Sequence, residues 1–424
     1  MDVIEQMALN TKIAKVFTPS APIDNAQLFA GRTPQLLKVV NAVSRRGQHV
    51  VLYGERGVGK TSLANILFEA LENMAAGDYE VKAVNCEAGI TFSSLWHNIF
   101  RKLTFKENAL RAGFKPATGD DQSADELLAD TVSPDDVRFM FEQLAKPTVI
   151  IIDEVDRIND PEITTRLADT IKTLSDSSVD VTLVLVGVAD SVDGLIAEHL
   201  SIERALMQIQ MPRMSAAELN EIMEKGLPKI DMTITRDAKA QISQLSQGLP
   251  HYTHLLTLHA AQHAVTEDRR NIKIEDVQAA TRLAVDQAQQ SVIRAYHNAT
   301  ISPRGNLYPQ VLLSCALAPT DELGYFSSSE IRFPMSTIMG KPYDIPAFSR
   351  HLNDFCEAKR GPVLQRTGFP KRYKFRFINP LLGPYVIMNG LKRDLITDAK
   401  LETIRAHVSS TGIEPPVLQL DSVS

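Results

Sequence analysis

Cysteine is scarce: Cys86, Cys315 and Cys356 are the only three in 424 residues, and they show no metal-ligand spacing. That excludes a disulfide-built secreted scaffold and a zinc ribbon. Buried thiols in a reducing compartment, the cytoplasm, are expected instead. Long apolar runs are missing too. With none near membrane-spanning length and no basic-then-apolar leader, neither a membrane span nor a secretion signal is expected. Positive charge is not in excess, since 45 Lys and Arg stand against 51 Asp and Glu for a net −6. A general polyanion coat is excluded, while a local basic face remains open. Tryptophan occurs once, and the ten histidines show no ligand spacing. What is present is 44% hydrophobic residues over a length that accommodates two or three domains.

Against that background one segment stands out. Residues 54–61 read Gly54-Glu55-Arg56-Gly57-Val58-Gly59-Lys60-Thr61, followed by Ser62. The apolar run 49–53 precedes them and a helical pattern follows, so the glycines lie between a buried strand and a helix. Glycine lets successive backbone N–H groups converge on one phosphate, and the helix N-terminus adds its positive end. Lys60 would reach the β and γ phosphates of ATP, and the Thr61 hydroxyl would hold Mg²⁺. A glycine turn that binds nothing is the alternative, disfavoured because every fixed position is filled.

About ninety residues on, 147–152 form a continuous β-branched run, as expected of a parallel strand buried on both faces. It ends in Asp153-Glu154. Asp153 is placed to join the Mg²⁺ shell, since ligands gather where parallel strands end. Glu154 is placed as the general base that polarises water. An acid pair after a strand is often only a turn, but a phosphate loop upstream makes it a hydrolytic site.

Strand and helix alternate from 50 to 211, which implies an α/β fold with a parallel sheet sandwiched by helices. The acidic stretch around 119–121 reads as a solvated insertion. From Ser215 the pattern is helical, opening on the capping box Ser215–Glu218 and continuing through 216–226, 235–247, 251–266 and 274–297. Beyond Pro303, short helices at 309–316, 327–333 and 346–359 precede two strands at 362–366 and 371–378, an order that predicts a winged-helix-like module. The expected divisions are a lead-in plus nucleotide core at 1–213, a helical lid at 214–300, the winged module at 301–393, and a loosely held tail at 394–424.

Taken in order, these features resemble an AAA+ ATPase of the initiator-like branch, which includes origin-recognition ATPases and ATPases that assist transposition. The resemblance covers roughly residues 15–300 well and the last hundred loosely. It implies that the segment 28–32, with Phe29 and Arg32, lies beside the adenine. It implies that Asp190 or Ser191, after the strand 181–186, senses the γ-phosphate, although an acid there would repel phosphate. It implies that Arg204 is an arginine finger offered to a neighbouring copy in a homo-oligomer, where it would offset charge on the transferred phosphoryl group. A surface ion pair with Glu203 or Glu198 is the alternative for Arg204. One departure concerns the lid, where this family often carries Gly-x-Pro-Arg and this chain has Gly248-Leu249-Pro250-His251. His251 either contacts nucleotide or is a structural histidine.

The residues 359–376 contain seven cations and no acid. Arg366, Lys371, Arg372 and Lys374 could lie along a DNA backbone, with interleaved aromatics on the sugars. Protection of an exposed strand edge explains the same residues. Two functions follow from this pattern: an ATP-controlled, DNA-associated switch, or an ATP-driven regulator of a partner effector protein.

Overall fold

A computed structural model describes residues 1–74, 79–104, 129–196, 199–302, 306–321, 323–370 and 372–410. The acidic stretch around 119–121 and Lys371 lie outside these residues. Two compact units divide the chain: Ala21–Pro212, and Met1–Ser20 together with Arg213–Ser424. The first helix, α1 (Val3–Val16), thus groups with the C-terminal unit, a correction to the expected division at 213. Leu9 and Ile13 of α1 are buried, and Phe17 lies so close to Gly226 that a Cβ there would meet its ring at 2.6 Å.

The unit Ala21–Pro212 runs α2 (Thr33–Val43), β1 (His49–Gly54), α3 (Lys60–Met74), β2 (Glu80–Asn85), α4 (Phe92–Phe100), α5 (Pro134–Glu142), β3 (Thr148–Asp153), α6 (Pro161–Asp176), β4 (Val181–Val188) and β5 (Leu206–Gln210). Its five strands form one parallel sheet in the order β2-β3-β4-β1-β5. Every residue of β3 is buried, and so are the first seven of β4. That is why both read as unbroken apolar runs instead of alternating ones. Val51, Ile150, Ile152, Leu183 and Leu185 share one core with Trp96, Phe100 and Phe141 from α4 and α5 and with Leu167 and Ile171 from α6. Trp96 meets Phe141 edge-on at 5.7 Å between centroids, a favoured aromatic geometry. Capping boxes at Thr91 and Ser133 fix where α4 and α5 begin.

The second unit is largely helical: α7 (Ala216–Gly226), a short parallel pair β6 (Thr233–Ile234) and β7 (Asn271–Ile272), with α8 (Arg236–Ser246) and α9 (Pro250–Thr266) between them, then α10 (Ile274–Asp286) and α11 (Gln290–Thr300). The single helix expected over 274–297 is therefore two, broken after Gln287 without a proline or glycine to announce it. Next come α12 (Tyr308–Ala316), β8 (Phe326–Ser327), α13 (Arg332–Met339), α14 (Ile345–Phe355), β9 (Leu364–Thr367) and β10 (Lys374–Phe377). The helix expected at 327–333 is corrected: Phe326 and Ser327 pair with β10, and the helix begins at Arg332 with Pro334 in its first turn, where proline is tolerated. The resulting antiparallel sheet has the order β8-β10-β9.

Two further helices close the unit. α15 (Leu382–Lys392) has nine consecutive buried residues. α16 (Asp398–Ser410) buries Leu401 and Ile404, and Lys400 donates to the Ile338 carbonyl, so it is docked and not the loosely held tail expected. Among the described residues no helix is long and apolar enough to cross a membrane.

Candidate nucleotide site

The phosphate loop joins the carboxyl end of β1 to the N-terminus of α3, beside the ends of β4 and β5. Gly54 has no room for a side chain: a Cβ would fall 2.4 Å from the Met211 carbonyl oxygen, just past β5. Gly59 sits at φ +96, in the region that favours glycine. Buried Arg32 braces the loop from behind, its Nη2 donating to the Val58 carbonyl at 3.2 Å and to the Pro212 carbonyl. Arg32 thus stitches the loop to the end of β5. Phe29 is buried within the same lead-in. Ser62 accepts the Ile23 N–H at 3.1 Å, so its hydroxyl anchors the lead-in. Glu55 is half-buried and Arg56 exposed.

Lys60 is buried, and its Nζ donates to the carbonyls of Gly54 (3.0 Å) and Glu55 (2.9 Å). Burial pulls its pKa from 10.5 to about 8, while Asp156, Asp153 and Glu55 pull it back up. A desolvated cation folded back on the loop's own carbonyls fits a phosphate ligand, which would replace weak acceptors with charged ones.

The acid pair lies across β4. Burial raises the Asp153 carboxyl above its usual range, while the neighbouring Thr61 hydroxyl and the Glu154 N–H, which donates at 2.7 Å, hold it down. The two residues assigned to Mg²⁺ from sequence thus lie close enough for the Thr61 hydroxyl to hold the Asp153 carboxyl down. Glu154 has φ +58, a left-handed conformation that costs a non-glycine residue energy and recurs at functional sites. Its half-exposed carboxylate accepts from Arg157 at 2.8 Å. Behind the pair, burial and the neighbouring carboxylates push the Cys86 thiol up to about 12, so it stays neutral. Asp156 escaped the sequence reading. Its carboxylate accepts the Val188 N–H at 2.7 Å, tying the acid turn to β4. Its place three residues after Asp153 was the available signal.

Other expected residues are spread more widely. Asp190 is exposed, two residues past Val188, which registers with Gly54. Arg204 precedes β5, whose Leu206 registers with His49 at the start of β1, so it lies at the opposite end of the sheet from the loop. Five residues at about 3.3 Å each separate those ends by roughly 17 Å, farther than an arginine can cross. Its partner is Asp176, Nη2 to Oδ1 at 2.7 Å, and neither of the acids expected; Glu198 lies outside the described residues. In the other unit the His251 ring bonds the Pro19 carbonyl through Nδ1 at 2.8 Å, and burial lowers its pKa.

On the antiparallel sheet, Lys374 pairs with Asp321 at 2.8 Å, and Lys359 with Asp354 and Glu357, each at 2.8 Å. The hairpin is thus less cationic than its acid-free sequence implies. Edge protection does not explain Lys374 and Arg376, because β10 is the central strand. Arg366, on edge strand β9, stacks over Tyr373 at 4.4 Å and donates to Asn353. Arg372 is exposed, and Phe369 at the tip is 79% exposed.

A family profile described as AAA domain matches residues 43–196, spanning the loop and the acid pair. No curated protein matches the chain. Among solved structures it is similar to the Walker-type ATPase paby2304 of Pyrococcus abyssi, at 15% identity and TM-score 0.50, covering 88% of this chain and 99% of that one. It is also similar to the ORC1 protein of Aeropyrum pernix in complex with DNA (14% identity, TM-score 0.46, 90% and 97% covered). The Aeropyrum pernix ORC2 protein gives 14% identity and TM-score 0.47, with 92% and 98% covered. At such identities only the fold is compared. Residues 43–196 therefore carry an AAA domain.

Proposed function

We propose that the protein is a nucleotide-controlled oligomeric switch of the initiator-like kind, cytoplasmic, that hydrolyses ATP at interfaces between its copies and holds DNA through its C-terminal, winged-helix-like module. The observation that carries the hydrolytic half is the buried Lys60 of the loop lying within electrostatic reach of buried Asp153, across β4 and beside the left-handed Glu154. Thr61 and Asp153 would hold Mg²⁺, which offsets charge on the phosphates when bound. Lys60 binds and orients the β and γ phosphates. Glu154 takes the proton of an attacking water. Asp190 is the candidate γ-phosphate sensor, and Phe29 flanks the adenine. We assign Arg32 to bracing the loop and His251 to its contact with Pro19.

Arg204 lies too far from its own loop to serve it, so the finger role requires a second copy. The test separates binding from turnover. Glu154→Gln should retain ATP while hydrolysis is lost, and parental turnover in that variant would move the general base elsewhere.

The DNA half rests on Arg366, Arg372 and Lys374 near exposed Phe369, with Lys371 added from the sequence alone. A specific observation favours the second reading, a partner effector protein docked by the same module: Asp321, Asp354 and Glu357 already neutralise part of the basic surface. Salt-sensitive binding of duplex DNA in the presence of ATP distinguishes the two.

A further inference from the structure

We infer that Asp176, at the end of α6, is the positioning residue of the Arg204 finger that each copy offers a second copy of the chain. This rests on the reading of Arg204 proposed above. α6 begins at its N-cap Asp160, just after the 3-10 turn Val155–Arg157 that Glu154 caps, and ends at Asp176. Its sixteen residues span roughly 24 Å. Ile163, Leu167, Ile171 and Leu174 anchor one face in the core, so the helix holds Asp176 at a fixed place.

The far end is built to receive a cation. α6 has no basic residue in its last turn, so its negative dipole end and the Asp176 carboxylate lack a cation of their own. Arg204 supplies it from the 3-10 segment His199–Ala205, with Nη2 2.7 Å from Asp176 Oδ1. The Arg204 side chain is nevertheless 83% exposed, against 46% for Asp176. One prong of the guanidinium fork is held while most of the group faces outward. A finger needs that arrangement, because a planar donor pre-aimed at a neighbour's phosphate loses less freedom on docking.

The test measures steady-state turnover of Asp176→Ala, alone and mixed with Glu154→Gln protein. An exposed pair of this kind accounts for roughly a two- to fivefold fall in kcat, with KM and single-subunit ATP affinity unchanged. The defect belongs to the finger's donor. Mixed with Glu154→Gln copies, which carry an intact Asp176 and Arg204, the Asp176→Ala sites should regain parental turnover per competent site. Asp176→Asn, which keeps the side chain's shape, carries the same expectation and covers a failure of the alanine variant to fold. Parental kcat in a folded variant overturns the assignment, and so does a deficit that persists in demonstrated mixed assemblies. Arg204→Ala in the same assay separates the two levels. If it recovers on mixing and Asp176→Ala does not, only Asp176 is misassigned; if it does not recover, the finger reading itself fails.

Discussion

At the scale of single residues, the site is decided by where charge is desolvated. Lys60→Ala should abolish ATP binding, because it removes the cation that the loop holds ready for phosphate. Retained binding of labelled ATP by the folded variant would contradict this. The same side chain sets a pH dependence. In the free protein Lys60 is charged below about 8, and bound phosphate favours the charged form, raising its pKa further. ATP affinity should therefore be full below pH 8 and decline as pH rises above it. A flat profile from pH 7 to 10 would show that Lys60 does not titrate freely.

His49 makes the opposite case. It is fully buried, accepts the Leu183 N–H through Nδ1 at 3.0 Å, and burial lowers its pKa from 6.5 to about 4. The unfolded chain takes up this proton below pH 6.5 and the folded chain only near 4. Stability is therefore complete above 6.5 and is lost as pH falls through that window, by about 3 kcal/mol. His49→Asn keeps an acceptor and removes the titration. Its unfolding, followed by Trp96 fluorescence, should vary less between pH 7 and 4 than the parent's, and an identical acid limb would assign the effect elsewhere.

At the scale of elements, the legible parts were those whose physics is local. β3 and β4 announced themselves because burial on both faces demands apolar residues at every position. The phosphate loop was legible because glycine, lysine and threonine each answer a separate local requirement. β8 was hidden because two residues give no period, and only their pairing with β10 makes them a strand. α15 was missed because a helix buried all round shows no polar stripe, and Gly383, Pro384 and Gly390 mask its propensity. The acid partner of Lys374 could not be read from the hairpin's own composition, since Asp321 arrives from a distant loop, and those of Lys359 lie just before the acid-free stretch.

The hairpin carries its own prediction. Replacing Arg366, Lys371, Arg372 and Lys374 with alanine should lower the magnitude of the salt slope of DNA binding by up to about 3.6, from roughly 0.9 per phosphate contact. Lys374 should contribute least, because Asp321 already offsets its charge. The loss should be similar across duplex sequences, since phosphate contacts carry no base information. An unchanged slope would give the surface to a protein partner.

At the scale of the whole molecule, residues 1–20 form one compact unit with Arg213–Ser424, whereas the sequence grouped them with the nucleotide core. Contacts such as Phe17 with His254 explain why, and nothing in the first twenty residues advertises a partner more than two hundred residues away. The distance between Arg204 and its own phosphate loop has the larger consequence, because in the proposed mechanism Arg204 can act only on the site of a second copy. The decisive measurement is ATP turnover in an equimolar mixture of Glu154→Gln and Arg204→Ala proteins, each inactive alone. Recovery of turnover is predicted, because mixed interfaces pair an intact Glu154 with an intact Arg204, the latter worth on the order of a thousandfold in rate. Absence of recovery in demonstrated mixed assemblies would contradict a finger acting between copies.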